Sequence, residues 1–195
     1  MPVQFHDAPP AKSPLVEYDG AVRGSRKAGR VLVIDPFPGS RKALAEALEQ
    51  THDLVLCGQT DNPSRALGMV RRLKPRVVVA EIATAEGLDL IRALRRRHPR
   101  LPILVYTFLD EEWHAPRALE AGADGFLRKG IGPAGLADGI RGALEGRLVL
   151  SPRTRERLLG KCVRLSCRAP RQFDSRLFGR SLFQVAAEAE PHRRQ

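Results

Sequence analysis

Between residues 30 and 150, short apolar runs alternate with stretches in which apolar residues recur at helical spacing. The runs are rich in valine, leucine and isoleucine, which is typical of strands buried on both faces of a parallel sheet. They predict strands at 31–35, 53–59, 76–82, 103–107 and 125–129, and helices around 43–48 and at about 62–73, 87–97, 111–120 and 133–144. This alternation predicts an α/β fold with a doubly wound, five-stranded parallel sheet and right-handed crossovers.

Capping and helix-breaking residues predict where three of the helices begin or bend. Ser40 is a suitable residue to cap the first helix, and Pro63 fits the first turn of the second. Pro116 lies inside the fourth helical pattern, where it should kink the helix or delay its start.

Four polar residues lie at the ends of predicted strands. They are Asp35, Glu81, Thr107 and Lys129. Because parallel strands end at one edge of a sheet, and open α/β sheets bind ligands in a crevice at that edge, we expect these side chains to converge.

The flanking segments differ from the middle of the chain in composition and charge. Residues 1–29 are rich in proline and glycine and predict a flexible leader without a signal peptide. No apolar run approaches the roughly 18 residues that span a membrane, so we expect a cytoplasmic protein. The three cysteines form no metal-binding or redox spacing, and Cys57 lies in an apolar strand, where we expect a core residue.

The chain carries a net charge of +11, distributed unevenly. Residues 30–150 hold 18 Lys and Arg against 15 Asp and Glu, whereas residues 151–195 hold 11 against 4. A basic tail of this kind is suited to contact nucleic acid or an acidic protein, and it is equally typical of a solvated, disordered chain end.

The globular part resembles the receiver domain of two-component response regulators. The residues that carry the resemblance are VLVID at 31–35, KPRVVV at 74–79, Tyr106-Thr107 and RALEAGADGFLRK at 117–129. The segment GRLVLSP at 146–152 is similar to the region after the receiver in the NarL/LuxR-type subfamily. The resulting division is a leader at 1–29, a receiver-like domain at 30–146, a linker with a short helix at 147–161 and a basic, disordered tail at 162–195. The tail shows no helix-turn-helix pattern.

This resemblance implies a phosphotransfer switch. In the family, an Asp on the third strand accepts a phosphoryl group from the histidine of a sensor kinase, and Mg²⁺ is held by that Asp and by an acidic pair after the first strand. Glu81 stands at the phosphoacceptor position, and Asp35 is what remains of the acidic pair. Thr107 and Lys129 match the residues that bind the phosphoryl oxygens. Phe126 matches the aromatic residue that reports the state to the face formed by the fourth helix, fifth strand and fifth helix, where a protein partner or a second copy binds.

Three departures from the family pattern change that expectation. Proline stands at position 36 in place of the second acid, Glu81 replaces Asp, and the loop at 82–87 is about two residues shorter than usual. Mg²⁺ requires near-ideal octahedral oxygen ligands, so Asp35 and Glu81 alone should bind it weakly at best. Glu81 is long enough to reach toward Lys129 and Thr107, where its charge partly imitates a phosphorylated Asp. We therefore expect a pseudo-receiver that is not an enzyme, has no catalytic residue and no cofactor, and acts in signal transduction and transcription regulation through protein contacts.

The residues leave other interpretations open. Glu81 could be a strand-end carboxylate with a solvated head, Thr107 a hydroxyl that satisfies the backbone, and Phe126 a core residue. Two alternative functions also remain, which are a DNA-binding transcription regulator using the basic tail and a receiver still phosphorylated by a histidine kinase.

Overall fold

The computed structural model describes residues 28–84, 86–158 and 160. The predicted basic tail at 162–195 lies outside this part of the chain, as does the predicted leader except for residues 28 and 29. Each helix of the described residues is too short or too polar to cross a lipid bilayer.

Five strands and five helices alternate along the described chain, as predicted. The strands are β1 (Gly29–Ile34), β2 (Leu54–Thr60), β3 (Val77–Ala80), β4 (Ile103–Thr107) and β5 (Gly125–Arg128). The helices are α1 (Pro38–Glu49), α2 (Pro63–Leu73), α3 (Gly87–Arg97), α4 (Glu111–Ala121) and α5 (Gly132–Leu144). All strand pairs are parallel and the sheet order is β2-β1-β3-β4-β5. The predicted doubly wound parallel sheet is therefore confirmed.

Both faces of the sheet are covered, which explains the unbroken apolar runs of the strands. Alternate residues of β3 point to opposite faces, with Val78 packing beneath α2, α3 and α4 and Val77 packing beneath α1 and α5. Cys57 is buried in the first of these layers, as expected of a core residue.

Helix α1 begins earlier than Ser40, so the prediction that Ser40 caps it is wrong. The helix starts at Pro38, because a proline's fixed φ and missing N–H suit the first helical position. Ser40 lies inside the helix and donates its hydroxyl to Asp35 Oδ2 at 2.6 Å. The prediction for Pro63 is confirmed, since it follows the cap residue Asn62 at the start of α2.

Pro116 lies inside α4 and does not delay its start, because α4 begins at Glu111 behind the cap residue Asp110. Proline has no N–H, so the carbonyl of Glu112 lacks its usual helical donor. The guanidinium of Arg157 donates a hydrogen bond to that carbonyl. A residue distant in sequence therefore satisfies the backbone group that Pro116 leaves open.

Residues 148–158, here called the strap, carry Arg157 across α4. Within the strap, residues 152–158 are helical. Val149 pairs with Gly125 at the outer edge of β5, and its carbonyl accepts a hydrogen bond of 2.8 Å from Phe126 N–H. The buried side chains of Leu148 and Leu158 pack against Leu119 of α4. The strap is thus part of the folded domain.

The strap predicts an energetic coupling between positions 116 and 157. Arg157→Ala should cost about 1–3 kcal/mol in the parent, because the Glu112 carbonyl loses its donor. It should cost clearly less in a Pro116→Ala background, where the new N–H at position 116 supplies the helical hydrogen bond. Urea unfolding of the double-mutant cycle measures the difference.

Arg153→Ala is the matched control for this cycle. Arg153 pairs with the carboxylate of Glu112 at 2.6 Å and has no described bond to its carbonyl. Its cost should be the same in both backgrounds. Equal costs of Arg157→Ala with proline and with alanine at position 116 would contradict the interpretation.

Candidate functional site

The four predicted strand-end residues meet in one buried site at the carboxyl edge of the sheet. Asp35, Glu81 and Lys129 each follow a strand directly, and Thr107 is the last residue of β4. Their exposed fractions are 1%, 4%, 9% and 0%, respectively. Burial of three ionisable groups at one point requires that their charges compensate one another.

Lys129 lies between the two carboxylates. Its Nζ is 2.6 Å from Asp35 Oδ2, with hydrogen-bond geometry, and 2.7 Å from Glu81 Oε2. The second contact is an ion pair whose angles are not those of a hydrogen bond, so Oε2 has no hydrogen-bond donor among the described residues. The attraction between two charges depends on their distance, so the 2.7 Å between Nζ and Oε2 makes this a direct charge contact. One cation therefore serves two buried anions.

The Asp35 carboxylate is held by the turn that leads into α1. Its Oδ1 accepts the backbone N–H of Phe37 at 2.8 Å, and its Oδ2 accepts the hydroxyl of Ser40 as well as the ammonium of Lys129. The guanidinium of Arg41 donates to the main-chain carbonyl of Asp35 at 2.6 Å. Both carboxylate oxygens are consequently engaged.

The Glu81 carboxylate turns back onto its own loop. Its Oε1 accepts the backbone N–H groups of Ile82 at 2.7 Å and Ala83 at 2.9 Å. Two backbone N–H groups and one ammonium therefore surround this buried carboxylate. Glu81 thus approaches Lys129 as expected, and its head is not solvated.

Thr107 and Phe126 occupy less polar surroundings than the two acids. Thr107 Oγ1 accepts the backbone N–H of Leu109 at 3.3 Å, and no hydrogen bond joins it to Glu81 within the described chain. Phe126 is 1% exposed and packs in the core layer beneath α2, α3 and α4. The structure places these two residues where the sequence predicted them, without testing the roles that the resemblance implies.

Three aromatic rings surround Lys129 and were not predicted as part of the site. The ring centroids of Phe37, Tyr106 and Phe108 lie 5.3, 5.8 and 5.4 Å from Nζ, within the range of cation–π attraction. Burial raises the pKa of the Tyr106 hydroxyl above its ordinary value. Each ring lies within two residues of Asp35 or Thr107, so the rule that strand ends converge could have found them.

Comparison with known protein families identifies the fold. The model of the response regulator receiver domain matches residues 31–141, which is more than half of the chain. The chain belongs to the response regulator receiver family.

Curated relatives of this receiver are response regulators. GacA of Pseudomonas viridiflava is 33% identical over 131 residues, covering 66% of this chain and 61% of the relative. NarP of Escherichia coli, a nitrate/nitrite response regulator, is 28% identical over 131 residues, again covering 66% of this chain and 61% of the relative. The chain spans about three fifths of the length of these relatives.

Solved structures of related regulators have the same architecture. A two-component response regulator of the LuxR family from Aurantimonas matches with a TM-score of 0.63 and 25% identity, covering 70% of this chain and 99% of that one. ChrA, the response regulator of a heme-sensing two-component system, matches with a TM-score of 0.56 and 25% identity, covering 83% of this chain and 88% of that one. These matches agree with the sheet order and the helix placement described above.

Removal of the Lys129 charge should destabilise the receiver strongly. Lys129→Met leaves two carboxylates facing each other in a buried site, for which we expect a loss of about 3–5 kcal/mol. Glu81→Gln removes one anion, keeps an oxygen for the backbone N–H groups and should change the stability by no more than about 1 kcal/mol. Urea unfolding at neutral pH measures both.

The double variant Lys129→Met with Glu81→Gln separates charge from packing. It should recover a large part of the loss, because only one buried carboxylate then lacks its cation. If Lys129→Met alone unfolds at nearly the parental urea concentration, the compensation described here is absent.

Gly87 closes the short loop that follows Glu81. A Cβ atom at position 87 would lie 2.5 Å from Cα of Ile82, and backbone cannot yield as a side-chain tip can. Gly87→Ala should therefore cost about 1–3 kcal/mol. Gly68→Ala is the control, because nothing lies within 4 Å of its Cβ position in α2, and it should stabilise by about 0.5–1 kcal/mol. Thermal unfolding of the pair tests the contact, and a neutral Gly87→Ala would show that the loop adapts.

Proposed function

We propose that this receiver is a pseudo-receiver, a response-regulator protein whose output does not depend on phosphorylation. The observation that carries the proposal is the position of Lys129. Its ammonium lies within 2.7 Å of both Asp35 and Glu81, and all three side chains are buried. The cation that the family uses to bind a phosphoryl oxygen is already neutralised by the chain itself.

Glu81 is badly placed to act as a phosphoacceptor. Its Oε1 is occupied by two backbone N–H groups and its Oε2 faces an ammonium, so neither oxygen is presented to a donor. Phosphoryl transfer depends on in-line positioning and charge neutralisation, and a displacement of about 1 Å can cost a factor of about 100 in rate. This geometry supports a protein that does not turn over phosphoryl groups and is not an enzyme.

The donor set does not fit Mg²⁺. A receiver would bring three carboxylates to the ion, whereas this site has two, with Pro36 at the third position. Both oxygens of Asp35 already accept hydrogen bonds, and the Lys129 ammonium lies between the acids. Among the described residues, no group of three or more His, Cys, Asp or Glu side chains is placed to hold a metal ion. We propose that the site functions without a cofactor.

A fixed charge arrangement implies a fixed conformational state. In a switching receiver, Thr107 and Lys129 would change partners when the phosphoryl group arrives. Here Lys129 is paired and the Thr107 hydroxyl accepts the backbone N–H of Leu109. A ligand shifts a conformational equilibrium only if it binds the two states with different affinities. The proposal therefore assigns a constant output, with Glu81 in the place of the phosphorylated Asp.

The proposed output is a protein contact at the face formed by α4, β5 and α5. Trp113 of α4 is 74% exposed and Phe108, just before α4, is 71% exposed. Large exposed aromatic residues commonly anchor interfaces. We propose that a protein partner or a second copy of the chain binds there, and that a sensor kinase can dock without transferring phosphate. We propose that this protein contact serves transcription regulation.

Labelling with radioactive acetyl phosphate and Mg²⁺ tests the proposal. The parent should take up no acid-stable, base-labile label, and neither should Glu81→Gln. Glu81→Asp and Pro36→Asp together should restore the acceptor and the third carboxylate, so that this double variant is labelled. Each single variant should be labelled far less, because either the metal ligand or the acceptor geometry is still absent.

A parent protein that is labelled at Glu81 would overturn the proposal in favour of a working phosphoacceptor. A double variant that stays unlabelled while folded, as judged by circular dichroism, would overturn the assignment of the loss to these two positions.

A further inference from the structure

A groove of about 610 Å³ lies at the opposite edge of the sheet from Asp35 and Glu81. It is bounded by the carboxyl-terminal ends of α2 and α3, where these helices lead into β3 and β4. Val70 and Leu101 are among its apolar lining residues. Its cations are Arg71, Lys74, Arg97 and Arg100, and we call it the basic groove.

The two sequence segments that form the basic groove contain basic residues and no acidic ones. Residues 62–80 and 90–109 contain ten Lys and Arg and no Asp or Glu. Residues 30–150 as a whole hold 18 Lys and Arg against 15 Asp and Glu. More than half of the domain's basic residues therefore lie in these two segments. Arg92 and Arg95 are paired with acids outside these segments, Asp89 and Asp124, and the remaining cations still concentrate positive charge in this part of a nearly neutral domain.

The cations of the basic groove are not neutralised within the fold. In the part of the chain that the structure describes, none of the four makes an ion pair with an acidic side chain. His98 also lines the groove, and its Nε2 is buried without a hydrogen-bond partner among the described residues. A ligand rich in acceptor oxygens would compensate these four exposed cations.

Helix dipoles explain only part of this charge. Basic residues in the last turn of a helix stabilise it, which accounts for Arg71 in α2 and Arg97 in α3. Arg100 lies beyond the end of α3, and Lys74 is the cap residue of α2 in the left-handed conformation, with φ 48°. A non-glycine residue at such a position costs about 1–2 kcal/mol, so the fold alone does not favour lysine there.

We infer that the basic groove binds duplex DNA through its phosphate backbone, without reading base sequence. Arginine guanidinium groups donate paired hydrogen bonds to phosphate oxygens. Sites for single strands add large aromatic rings on which bases stack, and the groove lining contains no Phe, Tyr or Trp. Cations from two separate helix ends suit an extended polyanion. This inference does not rest on the state of Glu81 or on the proposed pseudo-receiver function.

Fluorescence anisotropy with the full chain tests this inference. The probe is a labelled duplex of mixed sequence, about 20 base pairs long or two helical turns. The groove variant combines Arg71→Ala, Lys74→Gly and Arg97→Ala. Glycine suits the left-handed backbone at position 74, and this gain offsets the loss of the two helix-end charges, so the variant should fold about as stably as the parent. The control variant removes the same charge elsewhere, with Lys42→Ala, Arg117→Ala and Arg147→Ala.

The groove variant should bind the duplex at least about tenfold more weakly than the parent. The steepness of its plot of log affinity against log salt concentration should fall by about 2.7, which is about 0.9 for each of the three lost phosphate contacts. The control variant should keep the parental slope. A groove variant that keeps the parental slope overturns the inference and assigns binding to the basic tail. Equal losses in both variants also overturn it, since net charge would then suffice. So does a parent that binds vesicles containing phosphatidylglycerol but no duplex.

Discussion

The contact of one buried ammonium with two buried carboxylates determines the structure at the carboxyl edge of the sheet. Transferring these three charges out of water costs several kcal/mol per ion, and their mutual attraction offsets this cost only with good geometry and additional hydrogen bonds. The chain provides those bonds from its two adjoining loops. Phe37 donates to Asp35, and Ile82 and Ala83 donate to Glu81. The paths of both loops are therefore set by the carboxylates they serve, as well as by the need to connect a strand to a helix.

The rings of Phe37, Tyr106 and Phe108 complete this arrangement from the solvent side. Their faces attract the ammonium, which is itself buried, and charge contacts are stronger in a buried site than in water. Substitution of Asp by Glu at position 81 and the presence of Pro36 have a common physical meaning in this setting. The longer side chain fills the space between strand and lysine, and the proline removes a carboxylate that would otherwise add a third negative charge around a single cation.

The strands and the convergence of Asp35, Glu81, Thr107 and Lys129 could be predicted because each depends on a pattern close in sequence. Apolar runs define the strands, and parallel strands bring their ends to one edge. The approach of Glu81 to Lys129 was expected, but the backbone donors to the carboxylates could not be predicted, since they depend on loop paths that the pattern leaves open. Pro116 illustrates the limit. The local rule predicted a disturbed helix, whereas Arg157, 41 residues away, supplies the missing donor. The three aromatic rings lie beside predicted strand ends, so the convergence rule covered them, whereas the basic groove joins residues of two helix ends that come together only in three dimensions.

The pairing of Val149 with β5 also bears on how the domain avoids self-association through its sheet. An outer strand with unpaired backbone groups is a template for strands of other chains, and natural proteins protect such edges by covering or shortening them. Here β5 has four residues, and Val149 engages the N–H of Phe126 and the carbonyl of Asp124. Release of this segment would expose those groups together with the apolar surface beneath Leu148. By pairing with β5, Val149 leaves fewer backbone groups at this edge open to cross-β aggregation.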